Sequence, residues 1–276
     1  MGLSMANAPT LTSGARFLTL LTTLWSVHVR SVCLVLLLLL LAGCGLWKKD
    51  SGVLLPVADL YQQGEEHLRR QRYEDARTTF KRLTESHADT EYAPRARFLI
   101  GEAFYREQNY DEAVKALQEF LTFYPAHPIA DLAQYRLALS YYDQLQPVEK
   151  DQGLTAKALA EFQKLVKTYP ESRYASDALA KMEICRLRLA QKELWVAQYY
   201  YDRGQYAAAL RRLEAILKDY PRERQVLPGT LYLLGEIHFR EGRRAEATRA
   251  VQRLVDEFPD SEWARRARQR FAGRLL

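Results

Sequence analysis

Cysteine is scarce. Among 276 residues only Cys33, Cys44 and Cys185 carry a thiol. No disulfide framework can be the source of stability, and no cysteine pair has zinc or iron–sulfur spacing. Histidine is equally sparse. His28, His67, His87, His127 and His238 are scattered, without a His-Glu-x-x-His motif or a convincing metal partner. Glycine-rich phosphate loops, Gly-x-x-x-x-Gly-Lys-Ser/Thr or Gly-x-Gly-x-x-Gly, are missing. Acid pairs such as Glu65-Glu66 are adjacent, so on a helix they point to different faces and form no acid–base dyad. We expect no enzyme, no metal and no cofactor.

A dominant charge is lacking too. The formal net charge is +6. Residues 1–43 contain Arg16, Arg30 and no acid, so the remainder carries a mild +4. The dibasic pairs Arg69-Arg70, Arg211-Arg212 and Arg243-Arg244 suit solvated helix faces. Nothing here favours nucleic acid.

The uninterrupted apolar run at residues 31–42 spans about a dozen residues, short of the roughly 20 that cross a membrane. Arg30 flanks it and Leu41-Ala42-Gly43-Cys44 closes it. This looks like a bacterial lipoprotein signal peptide, cleaved before a cysteine that is then acylated. The expected division is a cleaved leader over 1–43, lipidation with palmitate-type chains on Cys44, and a tether over 44–55. Two or three acyl chains, at about 0.8 kcal/mol per buried methylene, would anchor the chain firmly. Gly45 in place of Asp implies, by resemblance to lipoprotein sorting, export to the inner leaflet of the outer membrane, facing the periplasm. The competing reading is a transmembrane anchor extended back through Phe17–Val29.

What is abundant is repetition. Ala76, Ala113, Ala158, Ala209 and Ala247 are each followed twelve residues later by Ala88, Pro125, Pro170, Pro221 and Pro259. Between them stand Phe80, Leu117, Phe162, Leu213 and Val251, then Leu83, Phe120, Leu165, Ile216 and Leu254. With the alanines they form an i, i+4, i+7 stripe, the buried face of an amphipathic helix. Upstream lie the small residues Gly64, Gly101, Ala138, Ala197 and Gly235, which let two helices approach closely. The proline cannot continue a helix and sets the turn into the next unit. Ser and Asp in the following stretches, Tyr169–Ala175 and Phe258–Ala264, are natural N-caps. The pattern resembles the tetratricopeptide repeat. It implies an all-α fold: a right-handed solenoid of five helix pairs with a capping helix near Trp263–Leu275, usually a docking surface rather than an enzyme.

Two intervals break the register. The spacings between proline positions are 37, 45, 51 and 38 residues. Pro147, Gly153 and the charges in Gln144–Leu154 predict an exposed loop in repeat 3. Arg173–Tyr201 contains no Pro or Gly and predicts one overlong helix. It would join front repeats 1–3 (56–170), carrying a substrate groove, to a docking region over 171–276.

Lipobox, tether, five repeats, loop and long helix together resemble the YfiO/ComL (BamD) family of outer-membrane assembly lipoproteins. Specific stretches are Phe123-Tyr-Pro-Ala-His-Pro128, Ala156–Phe162 and Glu193–Gly204. The resemblance implies a non-enzymatic part of the β-barrel assembly machinery, with other assembly lipoproteins as neighbours. Its implied partners are the POTRA domains of a BamA-type insertase, on the rear half, and unfolded β-barrel outer-membrane proteins, in the front groove. The resemblance points to Arg212 as the insertase-docking residue, with Arg203 as a second candidate. The repeat register assigns groove aromatics Tyr61, Phe98 and Tyr135, and in a second row Tyr105 and Tyr142. Arg69, Arg95 and Arg106 are candidate partners for a terminal carboxylate. The alternative is a repeat lipoprotein of another envelope system: a pilotin, a peptidoglycan-associated scaffold or a Tol-Pal coordinator.

Overall fold

A computed structural model describes residues 56–275; the expected leader, Cys44 and the tether lie outside them. Eleven helices form among the described residues. They are α1 (Val57–Arg69), α2 (Tyr73–Ser86), α3 (Tyr92–Arg106), α4 (Tyr110–Phe123), α5 (Ala130–Tyr142), α6 (Gly153–Thr168), α7 (Ala175–Asp202), α8 (Tyr206–Asp219), α9 (Leu227–Arg240), α10 (Arg244–Glu257) and α11 (Glu262–Phe271). Each packs on its sequence neighbours, and α1, α3, α5 and α7, α9, α11 touch in series as the first helices of successive units. This is an all-α tetratricopeptide solenoid with α11 as its cap.

The stripe explains the pairing. All five alanines of the ladder are 0% exposed, as are the ten large apolar residues that follow them. The first helix of each pair approaches through its small residue. A Cβ added at Gly64 would lie 2.4 Å from Phe80 Cε1, and one at Gly235 would lie 2.6 Å from Val251 Cγ2. At these two glycines only a missing side chain admits the large residue sixteen positions later.

The turns follow from backbone chemistry. Each second helix ends at His87, Tyr124, Tyr169, Tyr220 or Phe258, whose amide donates to the carbonyl four residues back. In four of the five the next residue is proline, with no N–H to offer. The turns inside pairs use a left-handed residue seven positions after the small one: Gln71, Gln108, Gly204 and Gly242. The expected serine caps are met once. The Ala264 amide donates to Ser261 Oγ at 3.0 Å, whereas Ser172 donates to Asp131 and α7 starts without a side-chain cap.

Both register breaks have structural counterparts. The stretch without Pro or Gly is one helix of 28 residues, about 42 Å long at about 1.5 Å per residue. The Pro147 segment is a loop, but not a free one. Gln152, 7% exposed, donates to the Pro147 carbonyl at 2.8 Å and accepts from Thr155 at 2.7 Å. The expected exposed loop is present, with most of its residues exposed, and a polar side chain folded inward holds it in place.

Candidate functional site

The predicted front aromatics divide by depth. Phe98 is 5% exposed and meets Phe120 edge-on at 6.0 Å. It belongs to the core under α4, which corrects its assignment to a groove lining. Tyr61, Tyr105, Tyr135 and Tyr142 are half-buried, with their rings packed against other aromatics. Tyr61 lies 5.2 Å from Tyr92 and 6.0 Å from Phe80. Tyr135 stacks on Tyr174 at 4.7 Å, and Tyr142 meets Phe162 edge-on at 5.9 Å beneath Lys181.

The hydroxyls connect one repeat to the next. Tyr105 on α3 donates to Asp143 at the end of α5, at 2.6 Å, and Tyr135 on α5 donates to Asp177 on α7, at 2.5 Å. Burial first, and then these carboxylates, hold both phenols well above the ordinary tyrosine range. Tyr61 is raised by burial and Glu65 and pulled back by Arg95. The strip therefore offers aromatic edges beside carboxylates.

The three groove arginines are not equivalent. Arg69 pairs with Glu66. Arg106 Nε donates to Glu102 Oε1 at 2.9 Å. Arg95 is exposed, interacts with Tyr61 and makes no ion pair among the described residues. Of the three, only Arg95 keeps its charge uncommitted.

Sequence reasoning missed the acid that holds Arg106. Glu102 is 3% exposed and also accepts from Arg136 at 2.7 Å, while the Arg136 guanidinium covers the Tyr105 ring at 4.9 Å. The same device recurs in the rear. Glu236, 2% exposed, accepts from Arg240 at 3.2 Å and from Arg270 of α11 at 2.5 Å. In both, the acid follows the small glycine, one arginine stands four residues on and the other 34 residues on. The signal was present as Gly-Glu with Arg at i+4, repeated.

On the rear half Arg212 Nη1 meets Glu193 Oε2 at 3.1 Å across the α7–α8 seam. Arg203 lies over the Tyr199 ring at 3.5 Å. Beside it the sequence reading overlooked Trp195, which stacks with Tyr199 at 6.3 Å under Lys192 at 4.5 Å. Trp195 and Tyr199 are each 43% exposed, large aromatics left in water with a cation at either end. Their spacing of one helical turn was legible. Cys185 is buried, and burial pushes its thiol up to about 11, so it stays protonated and unreactive. Among the described residues no cluster of His, Cys, Asp and Glu could hold a metal.

Residues 55–249, which span the front strip, the long helix and both rear arginines, match the YfiO family, described as outer membrane lipoprotein. The chain belongs to the YfiO family. It is 32% identical to the outer membrane protein assembly factor BamD of Caulobacter vibrioides, over 84% of this chain and 77% of that one. The BamD of Rickettsia prowazekii is 28% identical over 82% and 89%, and that of Haemophilus influenzae 27% over 86% and 93%. Among solved structures, a tetratricopeptide-repeat protein of Thermus thermophilus is similar over 80% of this chain and all of that one, at 18% identity and a TM-score of 0.35. No described helix is long and apolar enough to cross a membrane.

Proposed function

We propose that this YfiO-family chain is an outer-membrane protein assembly factor, a non-catalytic docking solenoid anchored to the inner leaflet through lipidated Cys44. The observation that carries the reading is the span of the family match, which takes in both candidate surfaces together with the helix that joins them. A docking role is further supported by the state of the ionisable groups. The buried acids are closed by arginines, and the one described thiol is held protonated.

The front strip of Tyr61, Tyr105, Tyr135 and Tyr142, with Arg95 as its uncommitted cation, receives unfolded β-barrel proteins. Aromatic edges suit alternating apolar side chains, and a guanidinium suits a carboxylate. The rear half, through Arg212 and Arg203, docks the POTRA domains of a BamA-type insertase. Trp195 and Tyr199 supply the aromatic anchor that such interfaces use.

Affinity purification of the lipidated chain from detergent-solubilised outer membrane tests the reading. Co-recovery of a barrel insertase is expected; secretin or Tol-Pal components in its place overturn it. The Arg212–Glu193 pair allows a finer test. Arg212→Glu is expected to lower insertase recovery by about tenfold or more, consistent with losing a charged contact at an interface. The swap R212E/E193R restores the internal pair yet stays defective if the partner reads the charge at 212. Full recovery in the swap shows that Arg212 matters only through Glu193.

A further inference from the structure

Two irregularities separate this chain from five equal repeats, and they touch each other. The front apolar core ends on α7 at Ala178, Met182 and Cys185, and the rear core begins on the same helix at Ala190 and Ala197. Between the two lies the stretch 186–189, whose side chains are all half-buried. Neither α5 nor α6 packs substantially on α8 or α9. The two halves are joined through one helix, at a place where the front core has ended and only Leu187 packs toward the rear core.

The inserted segment 143–152 sits over that place. Arg188 donates to the Gln146 carbonyl, and Lys192 Nζ donates to the Glu149 carbonyl at 2.8 Å. The segment is itself closed into one body by Gln152, which reaches the carbonyls of Gln146, Pro147 and Lys150. Its two contacts are one helical turn apart, on either side of the start of the rear core. Both donors are charged, and such bonds are among the stronger ones available at a surface.

We infer that the 143–152 loop is a strap that sets the angle between the front and rear halves, and that releasing Arg188 and Lys192 frees that angle. A long helix such as α7 curves gently along its length. A second line of contact, offset from the helix axis, resists that bending. The front strip would then be held at a defined orientation to the rear docking surface by Arg188 and by Lys192, which also covers Trp195.

The test uses the full lipidated chain in detergent, with donor and acceptor dyes attached through azidophenylalanine at Gln63 on α1 and Arg249 on α10. Single-molecule energy transfer reads the spread of distances between the halves. The substitution R188M/K192M keeps the aliphatic stems and removes both donors, and deletion of residues 145–150 removes the strap. Both variants are expected to keep wild-type helicity by circular dichroism and to broaden the transfer distribution. The amides of 144–152 in R188M/K192M are expected to exchange at least about tenfold faster. A distribution unchanged in both variants overturns the proposal, whether or not the loop amides exchange faster.

Discussion

The Glu236 cluster makes the sharpest energetic prediction, because its three charges are unequally buried. The Glu236 side chain is 3% exposed, whereas those of Arg240 and Arg270 are 46% and 35% exposed. Removing the acid leaves two guanidiniums that can turn to water. Glu236→Gln keeps the size and an acceptor, so the loss is that of two charge-assisted bonds, about 1–2 kcal/mol after rehydration. Removing both arginines does something different. R240M/R270M keeps the aliphatic stems but gives up the guanidinium contacts with Tyr201, Phe239 and Phe271 and strands an ionised carboxylate in the core, which costs about 3–5 kcal/mol. The triple variant E236L/R240M/R270M removes the charge problem altogether and should recover most of that loss. Urea denaturation followed by circular dichroism gives the ranking: wild type and triple variant highest, then E236Q, then R240M/R270M. A double variant no less stable than E236Q would refute the reasoning. It would mean that water reaches Glu236 and that the cluster is a surface ion pair. Since Arg270 lies on α11, hydrogen exchange should show the cap loosening first in the double variant.

Four further outcomes are expected. Gly235→Ala gains about 1 kcal/mol of helix propensity but drives a methyl group into Val251, a stiff and fully buried neighbour; overpacking of about 1–3 kcal/mol wins. Gly229→Ala meets its nearest atom at 3.2 Å and should be close to neutral in the same melts. Tyr105 and Tyr135 are raised in the folded state, so the stability they contribute is complete below the unfolded phenol value of about 10 and falls progressively as pH rises above it toward the higher folded value. Stability measured from pH 8 to 11 should therefore fall more steeply for wild type than for Y105F/Y135F, and equal slopes would show the hydroxyls to be solvated. Cys44→Ala should abolish incorporation of labelled palmitate and release the chain from the outer-membrane fraction; a variant that stays labelled places the lipid elsewhere.

Much of this architecture was legible because a repeat writes each structural demand five times. The alanine ladder reads as buried because Ala76, Ala113, Ala158, Ala209 and Ala247 share one spacing to the same apolar partners. Helix ends were readable for a local reason: the missing proline N–H acts within one residue. The candidate site was less legible. The register places Phe98 and Tyr135 in one row, yet Phe98 is core while Tyr135 reaches Asp177 with its hydroxyl. A phenol needs a polar exit and a phenyl ring does not, so one row holds two environments.

By itself the chain determined the elements, their pairing and the places where the repeat is stretched, since these depend on periodicity, side-chain size and backbone donors. Tertiary structure decided who meets whom across repeats. Arg136 and Arg270 find buried acids 34 residues away, Arg95 meets no carboxylate among the described residues, and the inserted loop lands on the midpoint of the long helix. Such pairings join residues some thirty to forty positions apart. Their charges and hydrogen bonds depend on burial and on direction in space, which a linear pattern of apolar and polar residues does not encode.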